Sequence, residues 1–218
     1  KNIQRFLFFQ LVVNVVALLL VLGGSVIGTE LPLTVTQILW INLIMDTFAA
    51  MALASLPPTH DLMVAKPRRL TDFIITRPIA KGILSVGLLL FLPKMVFLFY
   101  CERGAMLGAS GSMADAGMDV HEMTLFFTTF VMLQWWNLFN AKALSSGHSA
   151  FHHLFANRTL LFVLAMVLVG QWIIVTFGGQ MFRTVPLSAA EWGWIVLLTS
   201  PVLWIGEIVR LFKGKKNK

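Results

Sequence analysis

The sequence predicts an all-α, polytopic bundle of transmembrane helices, and three observations carry that expectation. The chain is 57% hydrophobic and only 12% charged, with a mean hydropathy of +0.80, against roughly 45–50% apolar residues in a soluble domain. A water-soluble core of 218 residues could not hide so much Leu, Val, Phe and Trp. Uncharged apolar blocks recur at lengths near the roughly 20 residues that a helix needs to cross a bilayer. The net charge of +7 sits between those blocks instead of along one stripe. Such a distribution sets topology in a membrane and points to no nucleic-acid partner.

Six spans follow in chain order. No formal charge lies between Arg5 and Glu30, which makes residues 6–29 the first span, with Gly23, Gly24 and Gly28 loosening its far end. TELPL turns the chain tightly into the second span, 34–56. Pro57 and Pro58 stop that helix, because proline lacks the donor and clashes with the preceding turn. Residues 59–76 are polar, broken by Pro67, and carry Lys66, Arg68 and Arg69. The third span, 82–100, contains Pro93, which is expected to interrupt the helix and can kink it, and Lys94, which is expected to snorkel to the interface within two turns of the end. Residues 101–119 show no apolar period and read as a mobile loop. The fourth span, 123–141, places Gln134, Asn137 and Asn140 at i, i+3 and i+6, a polar stripe that should face other helices. His148, His152 and His153 follow in a loop without a nearby Cys or acid, so they read as solvated and not as a metal site. The fifth span is 159–178. The sixth, 191–212, contains Pro201 and ends in Glu207 and Arg210, spaced for a local ion pair.

Topology comes from the basic residues. All but three of the 17 Lys and Arg fall on one side of this six-span arrangement; Arg103 and Arg183 fall on the other, with Lys94 near it. Both termini are therefore expected to be cytoplasmic. Cys101 is the single cysteine, so no intrachain disulfide staples the bundle. The start in KNIQRF, without Met or a cleavage site, reads as a piece of a longer polypeptide.

Chemistry points to the second span. Asn42 and Asp46, four residues apart, would share one face of an α-helix. A charged Asp near the bilayer centre costs about 2.5–3.5 kcal/mol even on lenient scales, so a metal ion, a partner cation or a protonation role is expected in return. Asn14 on the first span and Gln134 on the fourth lie at comparable depth. All these groups are oxygen donors, and no thiol or imidazole cluster accompanies them, which disfavours a soft transition metal. Oxygen donors suit a hard cation, and calcium accepts irregular shells of roughly 6–8 oxygens. One acid and two or three amides cannot complete such a shell; backbone carbonyls, water or a helix outside this chain must supply the rest. No phosphate-cradling glycine loop and no catalytic Ser/His or Cys/His set is present.

QILWINLIMD, followed by LASLPPTHDLM and KPRR, resembles the sixth membrane helix and following loop of P-type calcium-transporting ATPases. FQLVVNVVALL resembles their fifth helix, closest to the plasma-membrane type, LQWWNLFNAKAL the eighth and SPVLWIGEIVRLF the tenth. The likeness runs in order over essentially the whole chain, and the sixth-helix motif is highly specific. It implies that residues 1–218 are the C-terminal transmembrane domain, helices five to ten, of a multi-pass pump of the cell membrane. By that resemblance Asn42 and Asp46 fall on calcium ligands, Asn14 falls on the fifth-helix Asn, and Gln134 is a further candidate. Two-site pumps of the sarcoplasmic-reticulum type carry Glu, Thr and Glu where this chain has Ala17, Met45 and Gln134, which implies one transported Ca2+ per cycle. ATP and Mg2+ would act only in cytoplasmic domains outside this chain, as would the phosphorylated Asp and the N-terminal membrane helices. Two other classes remain beside the pump: an ion-coupled secondary transporter or channel with Asp46 as a protonatable relay, and a membrane module that anchors partners without binding an ion. No inverted repeat of the kind common in secondary transporters is visible.

Overall fold

Lipid offers backbone N–H and C=O groups no partner, so an apolar chain of this kind satisfies them within helices. The computed structural model describes residues 2–28, 33–57, 74–108, 118–144, 149–152 and 154–215. Among them the regular structure is entirely helical: α1 (Asn2–Ile27), α2 (Val35–Trp40), a π-helical turn (Ile41–Asp46), α3 (Thr47–Ala54), α4 (Arg77–Gly108), α5 (Val120–Lys142), α6 (Arg158–Phe177), α7 (Gly179–Phe182), α8 (Ala189–Thr199) and α9 (Pro201–Lys215). Among the described residues five stretches are long and apolar enough to cross a bilayer: residues 2–27, 35–54, 77–101, 158–177 and 189–212. The last contains a break at Ser200, where Pro201 brings no N–H to continue the ladder.

Helix α5 is not among those five, although its 23 residues reach about 35 Å at 1.5 Å per residue. Its amides and paired tryptophans lower its hydropathy. It is nonetheless the most enclosed helix of the bundle, packed by α1, α4, α6, α8 and α9. Polar residues are tolerated there because neighbouring helices, not lipid, surround them. Gln134, Asn137 and Asn140 are all buried, as the stripe predicts.

Helices α1 and α4 run parallel in close contact. Gly82 lies against Phe8, Gly87 against Val15 and Gly23 against Met95, so their numbering rises together. A Cβ at Gly87 would stand 3.0 Å from Val15 Cγ1, and one at Gly23 would stand 2.8 Å from Met95 Sδ. The absence of a side chain is what lets these axes approach. In lipid such van der Waals packing, more than exclusion of water, drives helix association.

Three expectations are corrected here. Helix α4 extends to Gly108, so residues 101–108 are helical and not loop; residues 109–117 lie outside the described residues. Pro93 does not interrupt α4. Lys94 does not snorkel: it is 2% exposed, and its Nζ donates to Phe126 O and Thr129 Oγ1 and stands 3.8 Å from the centroid of the Phe126 ring. The helix continues two turns past Tyr100, so no nearby end offers the ammonium a route to water. A carbonyl, a hydroxyl and an aromatic face serve it instead.

A polar knot ties one end of the bundle. Glu207 Oε1 accepts from Arg210 Nη2 at 2.8 Å, the predicted pair, and also from Ala150 N at 2.7 Å. Lys142 Nζ donates to Ala150 O at 2.9 Å and His152 O at 2.8 Å. The α5–α6 loop is thus held by its backbone. His148 and His153 lie outside the described residues.

Candidate cation site on the interrupted helix

Residues 35–54 form one continuous helical rod whose hydrogen-bonding pattern changes in the middle. Thr34 and Gln37 make a reciprocal capping box, with Thr34 Oγ1 accepting from Gln37 N at 3.3 Å and Gln37 Oε1 accepting from Thr34 N at 3.0 Å. This fixes the first turn. From Ile41 to Asp46 the rod is π-helical, which widens the bonding from i→i+4 to i→i+5, a rare geometry that is frequent at functional sites. The expectation that Asn42 and Asp46 sit one α-turn apart is corrected accordingly. No Gly or Pro occurs in INLIMD, so nothing local in the sequence announces the change.

Of the four candidate ligands, Asn42 and Asp46 lie in this π turn. The Asn42 side chain is exposed; the side chains of Met45 and Asp46 lie outside the described residues. Asn14, midway along α1, is exposed as well. Gln134 stands apart from them in environment: it is fully buried, and its Oε1 accepts from Asn137 Nδ2 at 3.4 Å. Gln134 Nε2 and Asn137 Oδ1 have no partner among the described residues. No hydrogen bond among the described atoms joins Asn14, Asn42 and Gln134. No group of three His, Cys, Asp or Glu able to hold a metal occurs among the described residues.

Both ends of the rod are tied to the rest of the bundle. At its N-terminal end, Gln37 Nε2 donates to Phe182 O at 2.8 Å and Thr36 Oγ1 donates to Met181 O at 3.0 Å. These carbonyls are presented by α7, a single turn closed by Arg183 in the left-handed region (φ 48°, ψ 53°), a conformation that commonly ends helices. Trp40 Nε1 donates to Gln171 Oε1 at 3.2 Å, and Gln171 Nε2 reaches Thr128 Oγ1 at 3.5 Å. The Trp40 ring covers Gly170, where a Cβ would come within 3.1 Å of it. At the C-terminal end, Asn2 Nδ2 donates to Ala54 O at 3.2 Å and Leu56 O at 2.9 Å, and Asn157 Nδ2 donates to Ser55 O at 3.3 Å. Gln37, Trp40, Gln171 and Asn157 escape a search for charged ligands. For Gln37, Trp40 and Gln171 the signal is a lone amide or indole N–H in an apolar block, since each such group needs a partner when buried. For Asn157 it is an amide at the cap position just before the apolar run of α6.

Residues 30–212 match the family described as "Cation transporting ATPase, C-terminus". The chain is 37% identical over 225 residues to plasma membrane calcium-transporting ATPase 1 of Gallus gallus, covering 100% of this chain and 18% of that protein. It is 35% identical over 216 residues to plasma membrane calcium-transporting ATPase 2 of Oreochromis mossambicus, covering 95% of this chain and 19% of that protein. Type 3 of Homo sapiens is 35% identical over 216 residues, covering 95% and 17%. The chain thus spans less than a fifth of the length of these relatives.

Proposed function

The chain belongs to the family of cation-transporting ATPase C-terminal regions, and from that premise we propose that it is the membrane half of an ATP-driven calcium pump of the plasma membrane, binding one Ca2+ within the bilayer for export. The observation that carries this reading is the π turn over INLIMD. It interrupts an otherwise regular membrane helix at the two residues, Asn42 and Asp46, whose oxygens suit calcium. A widened turn leaves carbonyl oxygens less fully engaged by the ladder, and calcium takes such backbone oxygens readily. Asn14, exposed at mid-helix on α1, is a third ligand in this reading, and Gln134 a further one. The chemistry of ATP and Mg2+ belongs to cytoplasmic parts of the pump outside this chain. Six crossings, with α5 as the fourth, and cytoplasmic termini complete the proposal; they rest on the length of α5 and on the distribution of Lys and Arg. A secondary transporter with Asp46 as a proton relay is not favoured, since the relatives named are ATPases.

The test is calcium-dependent phosphorylation of the full-length pump carrying Asp46→Asn. The change keeps volume and removes the charge, so calcium affinity should fall steeply, because affinity follows the charge count of the ligands. Phosphorylation from inorganic phosphate controls for folding. Calcium dependence near wild type would remove Asp46 from the ligand set and overturn the reading.

A further inference from the structure

We propose that the helix 35–54 works as a rod pinned at both ends, with the π turn as its compliant part, and that Asn157 and Gln37 are positioning residues for the cation-binding segment. The inference rests on the calcium-site reading above. The N-terminal pins are Gln37 to Phe182 O at 2.8 Å and Thr36 to Met181 O at 3.0 Å, reinforced by Trp40 on Gln171. The C-terminal pins are Asn2 on Ala54 O and Leu56 O, and Asn157 on Ser55 O. Between them, the Asn42 side chain makes no hydrogen bond among the described residues and is exposed. A rod held at both ends cannot tilt freely as a body. A change of cation occupancy is then absorbed where the ladder already departs from α geometry, by exchange between i→i+4 and i→i+5 bonds in residues 41–46. Slackening either pin widens the set of conformers that this segment visits, and cation binding must then order more of them, which weakens affinity.

Asn157 serves both the cap and the pin. Its Oδ1 accepts from Leu160 N at 3.0 Å, which caps α6, and from Ser55 Oγ at 3.4 Å, whereas its Nδ2 donates to Ser55 O and Ser55 Oγ at 3.3 Å each. Asn157→Asp keeps the cap, since Asp caps as well as Asn, keeps the long 3.4 Å contact from Ser55 Oγ, and removes both donations to residue 55. Asn157→Ala removes all of these. In the full-length pump, both variants should lower the apparent calcium affinity for phosphorylation by ATP, roughly two- to tenfold, the range for one hydrogen bond. Only Asn157→Ala should also lower the melting temperature. Phosphorylation from inorganic phosphate without calcium should stay near wild type for Asn157→Asp. An Asp variant with wild-type affinity, beside an Ala variant whose affinity falls in step with its stability, would reduce Asn157 to a helix cap and overturn the proposal. Should both variants fail to fold, Thr36→Val decides: it keeps shape, deletes the exposed Thr36–Met181 link, and must shift affinity in the same direction. Wild-type affinity there also overturns the pinned rod. Asp46→Asn in the same assay separates the two ideas. If it is indifferent, the calcium-site reading fails first; if it abolishes calcium dependence while the pin variants behave as wild type, only the pinned rod fails.

Discussion

Gly206→Ala probes how closely α9 is set against α5. A Cβ at Gly206 would stand 2.1 Å from Asn140 Oδ1 and 2.8 Å from Asn140 Cγ, separations that no real structure tolerates, so the Asn140 amide must swing away. That amide is not a free surface group. It is 8% exposed, its Nδ2 donates to Val202 O at 3.0 Å, and its Oδ1 accepts from Nη1 and Nη2 of Arg210 at 3.2 Å each. Losing the neutral bond costs about 1 kcal/mol and losing the bond to a cation about 1.5–3 kcal/mol. Alanine returns up to about 1 kcal/mol through its higher helix propensity. The net loss is about 2 kcal/mol, which corresponds to roughly 4–8 °C in melting temperature for a domain of this size. The assay is a double-mutant cycle on the full-length protein in detergent, read by tryptophan fluorescence, with Gly206→Ala, Asn140→Ala and the pair. A cycle is needed because each single substitution also changes interactions other than the contact between the two residues, and the cycle isolates the pairwise part. With Asn140 already truncated the obstacle is gone, and Gly206→Ala should be neutral or mildly stabilising, giving a coupling of about 2 kcal/mol. Strictly additive effects would refute this packing of α9 on α5.

Lys94→Met should remain within about 1 kcal/mol of wild type, because a buried ion's desolvation roughly cancels what its bonds return, whereas Lys94→Ala should lose about 2–5 kcal/mol through the cavity it leaves; equal losses in thermal unfolding would show that the ammonium, not the packing, holds α4 on α5. Phe155→Cys should react with a membrane-impermeant thiol reagent only from the cytoplasm and Gln180→Cys only from outside, and labelling of both from one face would remove α6 as a crossing. Equilibrium calcium binding to the full-length pump should saturate at about one ion, since Ala17, Met45 and Gln134 bring no carboxylate or hydroxyl for a second shell; saturation near two would contradict the ligand assignment.

What the sequence made legible follows from how lipid constrains a chain. Five spans were readable as long apolar runs with few charges, because length and composition decide whether a helix can sit in a bilayer. The α5 stripe was readable for a related reason: amides at i, i+3 and i+6 can be accommodated only against other helices. The far end of α4 was hidden, since Cys101–Gly108 ends the apolar window while still containing good helix formers such as Ala105, Met106 and Leu107, and helix propensity outlasts hydropathy there. The π turn was hidden more deeply. Residues 41–46 are ordinary helix formers, and the register that their backbone adopts is a property of the whole rod and its attachments. The partners of Lys94 were equally out of reach, because Phe126 contributes a backbone carbonyl, a group that every residue has.

The amides of this bundle occupy two environments, and that division bears on which of them meet the ion. Gln134 and Asn137 are fully buried and bonded to each other, and Asn140 is spent on Val202 and Arg210. Gln134 Oε1 and Asn140 Oδ1 are thus committed inside the protein, whereas Gln134 Nε2 and Asn137 Oδ1 have no partner among the described residues. Asn14 and Asn42 are exposed in mid-helix with no partner among the described residues, yet a polar group turned to hydrocarbon costs several kcal/mol. Their faces must therefore meet something polar other than lipid, whether a cation, water or another polar surface. A ligand oxygen has to be free of stronger commitments when the ion arrives, and on that criterion Asn14 and Asn42 outrank Gln134. In the proposed pump the committed oxygens of Gln134 and Asn140 hold the scaffold still, and the exposed amides of Asn14 and Asn42 are free to exchange partners as calcium enters and leaves.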